Sequence, residues 1–347
     1  MREIRSPIAG PDAARQAAFG RWLARVAPRH GVDPTRIAPA AGPGHGRQVW
    51  RIEGAPGSVI AIDAPPPHDI RPRLHAAALL QDAGIDVPPR LDAALEQGFL
   101  LLADYGSVDL LDAQRALPPA QAEALWRQAL ATLVQLETRI PAQALPPLAA
   151  QRYADDLALF PLWCVERAFG IRWSDAEHAA WQRVATALSA CALALPVVAV
   201  HGDFAPRQLR VRPGGTIGVL GAGDAHAGPI GLDLAALLRD GAPDDEAQEL
   251  DRAIRWWEQA RRAGLPVEAD FGAFWRAHEW LGLLRDLTQL GRDCRASQRD
   301  GGELEAGAWR RRLGRAGQVA LRYAPLKPLL RLLEPLSGAR VASGFTF

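Results

Sequence analysis

One stretch, residues 197–240, constrains the fold of this chain more than any other. It opens with three β-branched residues in an apolar run, which predict a buried strand leading into His201-Gly202-Asp203. A second short strand, a Pro-Gly-Gly turn and a third strand over 216–220 follow, and together they predict a β-hairpin. The third strand runs into Gly221-Ala222-Gly223-Asp224, after which leucines at helical spacing predict a helix from about Gly231.

The two loops on either side of this hairpin each carry a carboxylate. Asp203 lies in the first loop and Asp224 in the second, and the hairpin brings the two loops side by side. A phosphoryl-transfer site needs a carboxylate that positions the acceptor hydroxyl, together with groups that hold the phosphates and their metal. The pattern is typical of such a site. The alternative is that Asp203 caps its own turn.

This stretch resembles the aminoglycoside phosphotransferase and choline kinase superfamily, which shares the protein-kinase core. The matching residues are His201, Asp203, Pro206 and Leu232-Asp233-Leu234. The resemblance implies that Asp203 accepts the proton of the acceptor hydroxyl, and that ATP and Mg²⁺ are the cofactors. It assigns His201 to the catalytic loop, where we expect it to brace the loop by hydrogen bonding rather than to act as an acid or base. We expect Asp233 to hold a loop backbone.

Two positions depart from the superfamily pattern, and both fall on magnesium ligands. Gln208 stands where the resemblance places a magnesium-binding Asn, and Gly221 stands where it places a magnesium-binding Asp. Gln208 keeps a carbonyl oxygen, and Asp224 aligns with a second superfamily Asp, so these two are the predicted metal ligands. Two hypotheses stay open: a sugar phosphotransferase with a weakened metal site, or an inactive kinase-like protein that binds sugar, nucleotide or a partner protein.

A narrower resemblance points to the acceptor. The segments 63–66, 95–102 and 228–240 are similar to the bacterial anomeric kinases of N-acetylmuramate and N-acetylglucosamine, which act in cell-wall recycling. The likeness runs from about Ile37 to Asp240. It implies an amino sugar as the acceptor and a nucleotide as the phosphate donor.

The first hundred residues predict a small antiparallel sheet. Short strands near 37, 48–52 and 58–62 flank a glycine-rich connection over 42–46. Such a connection can lay backbone N–H groups over nucleotide phosphates, although a plain glycine turn is the alternative. The kinase lysine is absent from the third of these strands, and the helix predicted over 70–83 has no glutamate. The candidate phosphate contacts are therefore His45, Arg47 and Arg51.

A strand over 99–102 ends at Asp104-Tyr105-Gly106. The resemblance implies that it leads to the hinge whose backbone binds adenine, so Asp104 and Gly106 are predicted nucleotide contacts; an ordinary strand-to-helix turn is the alternative. The expected architecture is an α/β, two-lobed kinase-like fold. Residues 1–106 form a small lobe with an antiparallel sheet, and residues 107–347 form a mostly helical lobe.

The remaining chain predicts helices. One is expected over 151–169 with a kink or break at Pro161. Ser174 with Glu177 has the spacing of a capping box at the start of another helix. Two more are expected over 270–290 and 303–332.

The net charge and composition of the chain argue against several classes of partner. A net charge of +1 over 347 residues gives no electrostatic reason to expect nucleic acid or an acidic membrane. Apolar and charged residues make up 48% and 23%, as in soluble globular proteins. No apolar run approaches the ~20 residues of a membrane helix. Three widely separated cysteines indicate no disulfide framework, which favours the cytoplasm.

A rival interpretation belongs to another class. The run 216–220 followed by Gly221-Ala222-Gly223 resembles the strand–glycine–helix turn of dinucleotide-binding domains. His226 occupies the third fingerprint position, where Gly or Ala is expected. This interpretation requires a parallel, doubly wound sheet around the glycines.

Overall fold

The computed structural model describes residues 13–40, 47–55, 57–149, 151–241, 245–300 and 304–337. The chain packs as two compact units. The first comprises Met1–Gln128 and Arg207–Asp224, and the second comprises Ala129–Pro206 and Ala225–Phe347. The division at Gly106 that the resemblance implies stays a prediction.

The first unit is built on a five-stranded antiparallel sheet. Its strands are β1 (Val32–Pro39), β2 (Gln48–Gly54), β3 (Gly57–Asp63), β4 (Arg90–Ala94) and β5 (Phe99–Ala103). They lie in the order β1-β2-β3-β5-β4, and every neighbouring pair is antiparallel. The predicted antiparallel sheet is therefore confirmed, with β4 as a strand that the sequence did not predict.

An apolar helix face packs on this sheet. The helices of the unit are α1 (Ala13–Val26), α2 (Arg71–Asp82) and α3 (Leu110–Ala116). The inner face of α1, with Phe19 and Trp22, packs on Trp50 and Phe99 of the sheet, and all four are at least nine-tenths buried. Burying such aromatic side chains stabilises the unit by roughly 1.5–3 kcal/mol each.

The first unit also contains the predicted hairpin. Strands β7 (Leu209–Arg212) and β8 (Thr216–Val219) pair antiparallel as a sheet of two strands, and a short 3₁₀ turn, Ala222–Asp224, follows. A dinucleotide-binding turn needs a parallel sheet at this place. The dinucleotide interpretation is therefore wrong.

The second unit is mainly helical. Its helices are α5 (Gln151–Leu159), α6 (Asp175–Ala194), α7 (Leu232–Gly241), α8 (Glu246–Arg262), α9 (Phe271–Asp300), α10 (Ala306–Arg322) and α11 (Pro328–Ser337). A helix α4 (Pro119–Arg139) begins in the first unit and ends in the second. Strands β6 (Val197–Val200) and β9 (His226–Pro229) form an antiparallel pair. The central helix α9 packs against α5, α6, α7 and α10.

Several helix boundaries differ from the predictions for identifiable reasons. After α5 the chain continues as a π-helix, Phe160–Ala168, with Pro161 in its first turn, because proline lacks the N–H that an α-helix would need there. The tail is two helices rather than one, and Pro328 begins the second. The capping box of Ser174 and Glu177 is confirmed. No helix within the described residues is long and apolar enough to span a membrane.

Candidate active site

The loop that carries Asp203 is held by a single carboxylate. Asp233, in the first turn of α7, accepts hydrogen bonds from the backbone N–H groups of His201 (2.5 Å), Gly202 (3.0 Å) and Phe204 (3.4 Å). A carboxylate in the first turn also complements the helix dipole. Gly202 has φ 83°, a conformation that glycine adopts without a steric cost. The prediction that Asp233 fixes a loop backbone is confirmed.

His201 is part of the same brace. It is completely buried at the end of β6, and its Nδ1 accepts a hydrogen bond from the Asp203 N–H at 3.3 Å. The ring therefore orients the loop from beneath, as expected of a bracing residue. Its role in catalysis stays a prediction.

The Asp203 carboxylate has a partner that the sequence did not reveal. Arg285 of α9 donates from Nη2 to Asp203 Oδ1 at 2.8 Å and to Asp240 Oδ2 at 2.5 Å. Burial disfavours the charged guanidinium, but Asp240 and Asp203 outweigh this and raise the pKa of Arg285. Arg312 donates to the other oxygen of Asp240 at 3.1 Å. The arginine thus holds Asp203 in one orientation.

A sequence signal for Arg285 did exist. Arg285 and Asp286 are adjacent charged residues inside the otherwise largely apolar run 281–290, and both are buried. Charged residues are rarely buried unless they are paired. Arg315 Nη2 donates to Asp286 Oδ1 at 2.8 Å. Two charges on the buried face of a helix indicate an ion-pair network, although not which loop it serves.

A second buried carboxyl lies near the brace. Glu137 of α4 is 4% exposed, and both of its carboxyl oxygens are buried without a hydrogen-bond partner among the described residues. Burial, and then the negative charge of Asp233, raise its pKa well above the usual value. The folded state therefore favours the protonated form of the Glu137 carboxyl.

In the first unit, Gln208 and Gly221 lie in contact. The Leu220 N–H donates to the Gln208 carbonyl oxygen at 2.8 Å, which joins the two backbones. Gly221 has φ 81°, and a β-carbon there would lie 3.0 Å from Gln208 Oε1. The Gln208 amide therefore fills the space beside residue 221. Asp224, three residues later, is exposed to solvent.

Three of the residues predicted to contact nucleotide are joined by hydrogen bonds. Arg51 forms a two-pronged ion pair with Asp104, through Nε at 2.5 Å and Nη2 at 3.2 Å. Asp104 also accepts from Ser58 Oγ at 2.7 Å and from the Gly106 N–H at 2.8 Å. Burial works against ionisation of Asp104, but Arg51 and these donors outweigh it and lower its pKa. Arg51, Asp104 and Gly106 thus form one hydrogen-bonded group.

The other predicted nucleotide contacts are Arg47 and His45. Arg47 directly precedes β2, and its Nε is buried without a hydrogen-bond partner in the part of the chain that the structure describes. His45 lies outside the described residues.

The predicted site residues are divided between the two units. Asp203 belongs to the second unit, whereas Gln208, Asp224 and Arg47 belong to the first, so the expectation that they share one site stays a prediction.

The comparison with known families decides where this chain belongs. Residues 36–271, more than half of the chain, match the profile of the APH phosphotransferase enzyme family. The chain belongs to the phosphotransferase enzyme family.

Curated members of the family align with most of the chain. The N-acetylmuramate/N-acetylglucosamine kinase of Neisseria meningitidis serogroup B is 36% identical over 96% of this chain and 99% of its own length. The kinase of the same name from Pseudomonas aeruginosa is 35% identical over 78% of this chain and 79% of its own.

Solved structures of kinases share the fold. Choline kinase LicA from Streptococcus pneumoniae superposes with a TM-score of 0.59 at 14% identity, covering 88% of this chain and 100% of that one. The GDP complex of aminoglycoside 2′-phosphotransferase-IIIa gives 0.59 at 13% identity, covering 89% and 100%. The predicted kinase-like fold, an antiparallel sheet followed by a mostly helical region, is therefore confirmed.

The residues present fit magnesium poorly. Among the residues that the structure describes, no three His, Cys, Asp or Glu side chains gather into a metal site. Mg²⁺ is usually held by one or two carboxylates together with phosphate oxygens and water. Of the two predicted ligands, Asp224 supplies one exposed carboxylate and Gln208 an amide that lies against Gly221. The assignment of Gln208 and Asp224 as metal ligands stays a prediction.

Proposed function

We propose that this protein is an ATP-dependent sugar kinase that phosphorylates N-acetylmuramate or N-acetylglucosamine, as a step in cell-wall recycling. The observation that carries this proposal is the 36% identity to the Neisseria kinase along nearly the whole of both chains. Identity that extends through the helical half supports the same acceptor class, because this half binds the sugar in related kinases. Residues 1–106 are proposed as the nucleotide-binding lobe and residues 107–347 as the acceptor lobe.

In this proposal Asp203 is the catalytic residue. Its carboxylate orients the sugar hydroxyl toward the donor phosphate and accepts the hydroxyl proton during transfer. His201 and Asp233 keep the loop backbone in place, and Arg285 keeps the carboxylate from rotating. Orientation before binding lowers the entropic part of the barrier. These hydrogen bonds support a catalytic role for Asp203 because they fix both the loop backbone and the carboxylate itself.

The nucleotide side of the proposal rests on the first unit. Gly106 and Asp104 are proposed at the adenine end, and His45, Arg47 and Arg51 at the phosphates. Arg51 keeps one guanidinium nitrogen, Nη1, outside its two-pronged pair with Asp104. Magnesium, where it binds, is held weakly by Gln208 and Asp224.

One observation favours a second candidate function. The Gln208 amide occupies the space in which a metal-binding side chain at residue 221 would lie. A chain that has lost this ligand has weak phosphoryl transfer or none. The second candidate is therefore an inactive kinase-like protein that binds sugar, nucleotide or a partner protein.

The test is direct. Purified protein is incubated with ATP, Mg²⁺ and each amino sugar, and sugar phosphate is followed by phosphorus NMR. We expect turnover that Asp203→Asn lowers by about 10²–10⁴-fold. Asp251→Asn is the control, because Asp251 pairs on the surface with Arg255. Binding of ADP and sugar by calorimetry with no sugar phosphate would favour the inactive binder instead.

A further inference from the structure

The turn after Gly221 contacts a helix whose Arg73 side chain lies against Gly223. Arg73 lies in the first turn of α2, and α2 packs against the turn Ala222–Asp224. A β-carbon on Gly223 would lie 2.6 Å from Arg73 Nη2 and 2.7 Å from its Cζ and Nε. Gly223 therefore leaves room for the guanidinium to lie directly on the turn.

Arg73 and its neighbour Arg71 on the same helix differ in their ion pairs. Within the described part of the chain, neither Arg73 nor Arg47 has a carboxylate at salt-bridge distance, whereas Arg71 on the same helix pairs with Glu96 at 2.6 Å. Burial and then the neighbouring charge of Arg47 lower the pKa of Arg73 to about 10, against the opposing charge of Asp224. Two guanidinium groups whose charges repel each other, with one exposed carboxylate, leave a net positive charge beside this turn.

Such a cluster is costly unless an anion binds it. Bringing like charges together and removing them from water both disfavour the folded state. Arg47 Nε is in addition a buried donor for which the described residues supply no acceptor. Guanidinium groups bind phosphate through two parallel hydrogen bonds, which suits paired arginines to a polyphosphate.

We propose that Arg73 and Arg47 form a phosphate-binding site on the Gly221–Asp224 turn, which holds the terminal phosphates of the nucleotide without magnesium. The inference rests on the proposed function, because that function supplies the nucleotide. It assigns to two arginines the neutralising role of the missing lysine and the weakened metal site. Gly223 is the residue that permits this contact.

The experiment measures binding of ADP by calorimetry in EDTA and in excess Mg²⁺, with no sugar present. We expect wild-type protein to bind ADP in EDTA at least as tightly as in Mg²⁺. Arg73→Gln and Arg47→Gln should each weaken binding in EDTA by about 10–100-fold, as for lost hydrogen bonds to a charged group. Adenosine, which lacks phosphate, should bind all variants alike.

Arg71→Gln is the matched control, since Arg71 lies two residues away on the same helix but is exposed and paired. We expect it to change ADP affinity in EDTA less than about two-fold, as for an exposed pair. Gly223→Ala should weaken ADP as Arg73→Gln does, because the methyl group displaces the guanidinium.

A measurement on wild-type protein alone covers the case in which a variant does not fold. Inorganic tripolyphosphate in EDTA should raise the melting temperature and compete with ADP. Absence of that stabilisation, a strict need for Mg²⁺, or unchanged ADP affinity in both arginine variants would overturn the site. Sugar phosphate formed without ADP binding in EDTA rejects this inference alone. ADP binding in EDTA without sugar phosphate rejects the proposed activity alone.

Discussion

The side-chain oxygen of Gln208 lies 3.0 Å from the position that a β-carbon on residue 221 would occupy, and its amide carbon lies 3.1 Å away. The two positions at which this chain departs from the superfamily pattern are therefore in contact. The longer side-chain amide of Gln208 packs into the space that the absence of a side chain at Gly221 leaves. Each residue accommodates the other, so the energetic effects of reverting the two positions should depend on each other.

This relationship predicts the outcome of reversion. Gly221→Asp alone should destabilise the fold by roughly 1 kcal/mol, because the new side chain displaces the Gln208 amide. Aspartate is among the residues that tolerate the left-handed φ of 81° at this position. Adding Gln208→Asn, which is one methylene shorter, should remove most of that cost.

The measurement is a double-mutant cycle of the free energy of unfolding in urea, with Mg²⁺-dependent binding of ADP followed in parallel. We expect Mg²⁺ to strengthen ADP binding in the double variant and not in the wild type. Strictly additive effects of the two substitutions on stability would show that the contact between the residues has no energetic weight.

Arg285 provides a second prediction. Arg285→Gln leaves two carboxylates, Asp203 and Asp240, without their shared donor in a buried region. Removing one partner of a buried ion pair costs about 3–5 kcal/mol, which urea unfolding should detect. Arg292→Gln on the same helix is the control, because its pair with Asp156 is one-third exposed and should matter by less than about 1 kcal/mol.

The role of Arg285 in orientation needs its own readout. In a folding-competent variant such as Arg285→Lys, kcat should fall while the KM for sugar changes little, because only the orientation of Asp203 is altered. Lysine keeps the charge but loses the fork geometry. A rise in KM with unchanged kcat would indicate that Arg285 binds substrate rather than positions Asp203.

Local patterns and the family resemblance account for what the sequence predicted correctly. Ser174 with Glu177 forms a capping box because its partners are three residues apart, and the strands of the first sheet follow their alternation. Strand β9 was missed because His226–Pro229 contains Gly and Pro, which are depleted in strands. The contact between Arg285 and Asp203 joins residues 82 positions apart, so no local pattern could reveal it.

Buried glutamates predict how stability depends on pH, and Glu249 is the first case. Burial disfavours its charge, but the hydrogen bond with His278 and the charge of Arg239 outweigh this and lower its pKa to about 2. A lowered pKa adds stability above the unfolded value of 4.5, and this is lost as pH falls toward 2. The shift corresponds to roughly 3 kcal/mol.

Urea unfolding between pH 6 and pH 3 tests this case. Wild type should lose stability over this range more steeply than Glu249→Gln, which lacks the titrating group. Identical slopes for the two proteins would mean that Glu249 is not held ionised by its partners.

Glu137 predicts the opposite sign. Burial and the charge of Asp233 raise its pKa, so the folded protein keeps this carboxyl protonated at pH values where the unfolded chain ionises it. Stability is then fully present below the unfolded pKa and is lost as pH rises toward the folded value. Glu137→Gln retains the neutral shape and removes the titration. It should therefore unfold at higher urea than wild type at pH 7 and at the same urea at pH 4.

The control for Glu137→Gln is Glu166→Gln, because Glu166 is exposed. This control should leave the urea midpoint unchanged at both pH values. A Glu137→Gln variant that is less stable than wild type at pH 7 would contradict the prediction. It would mean that the carboxyl is ionised in the folded protein and is stabilised there by a partner.

The charge state of Glu137 should also affect the loop that Asp233 holds. With no charge at 137 at any pH, the hydrogen bonds from His201, Gly202 and Phe204 to Asp233 should stay intact up to alkaline pH. Amide exchange at these three positions should then become slower relative to wild type above neutral pH.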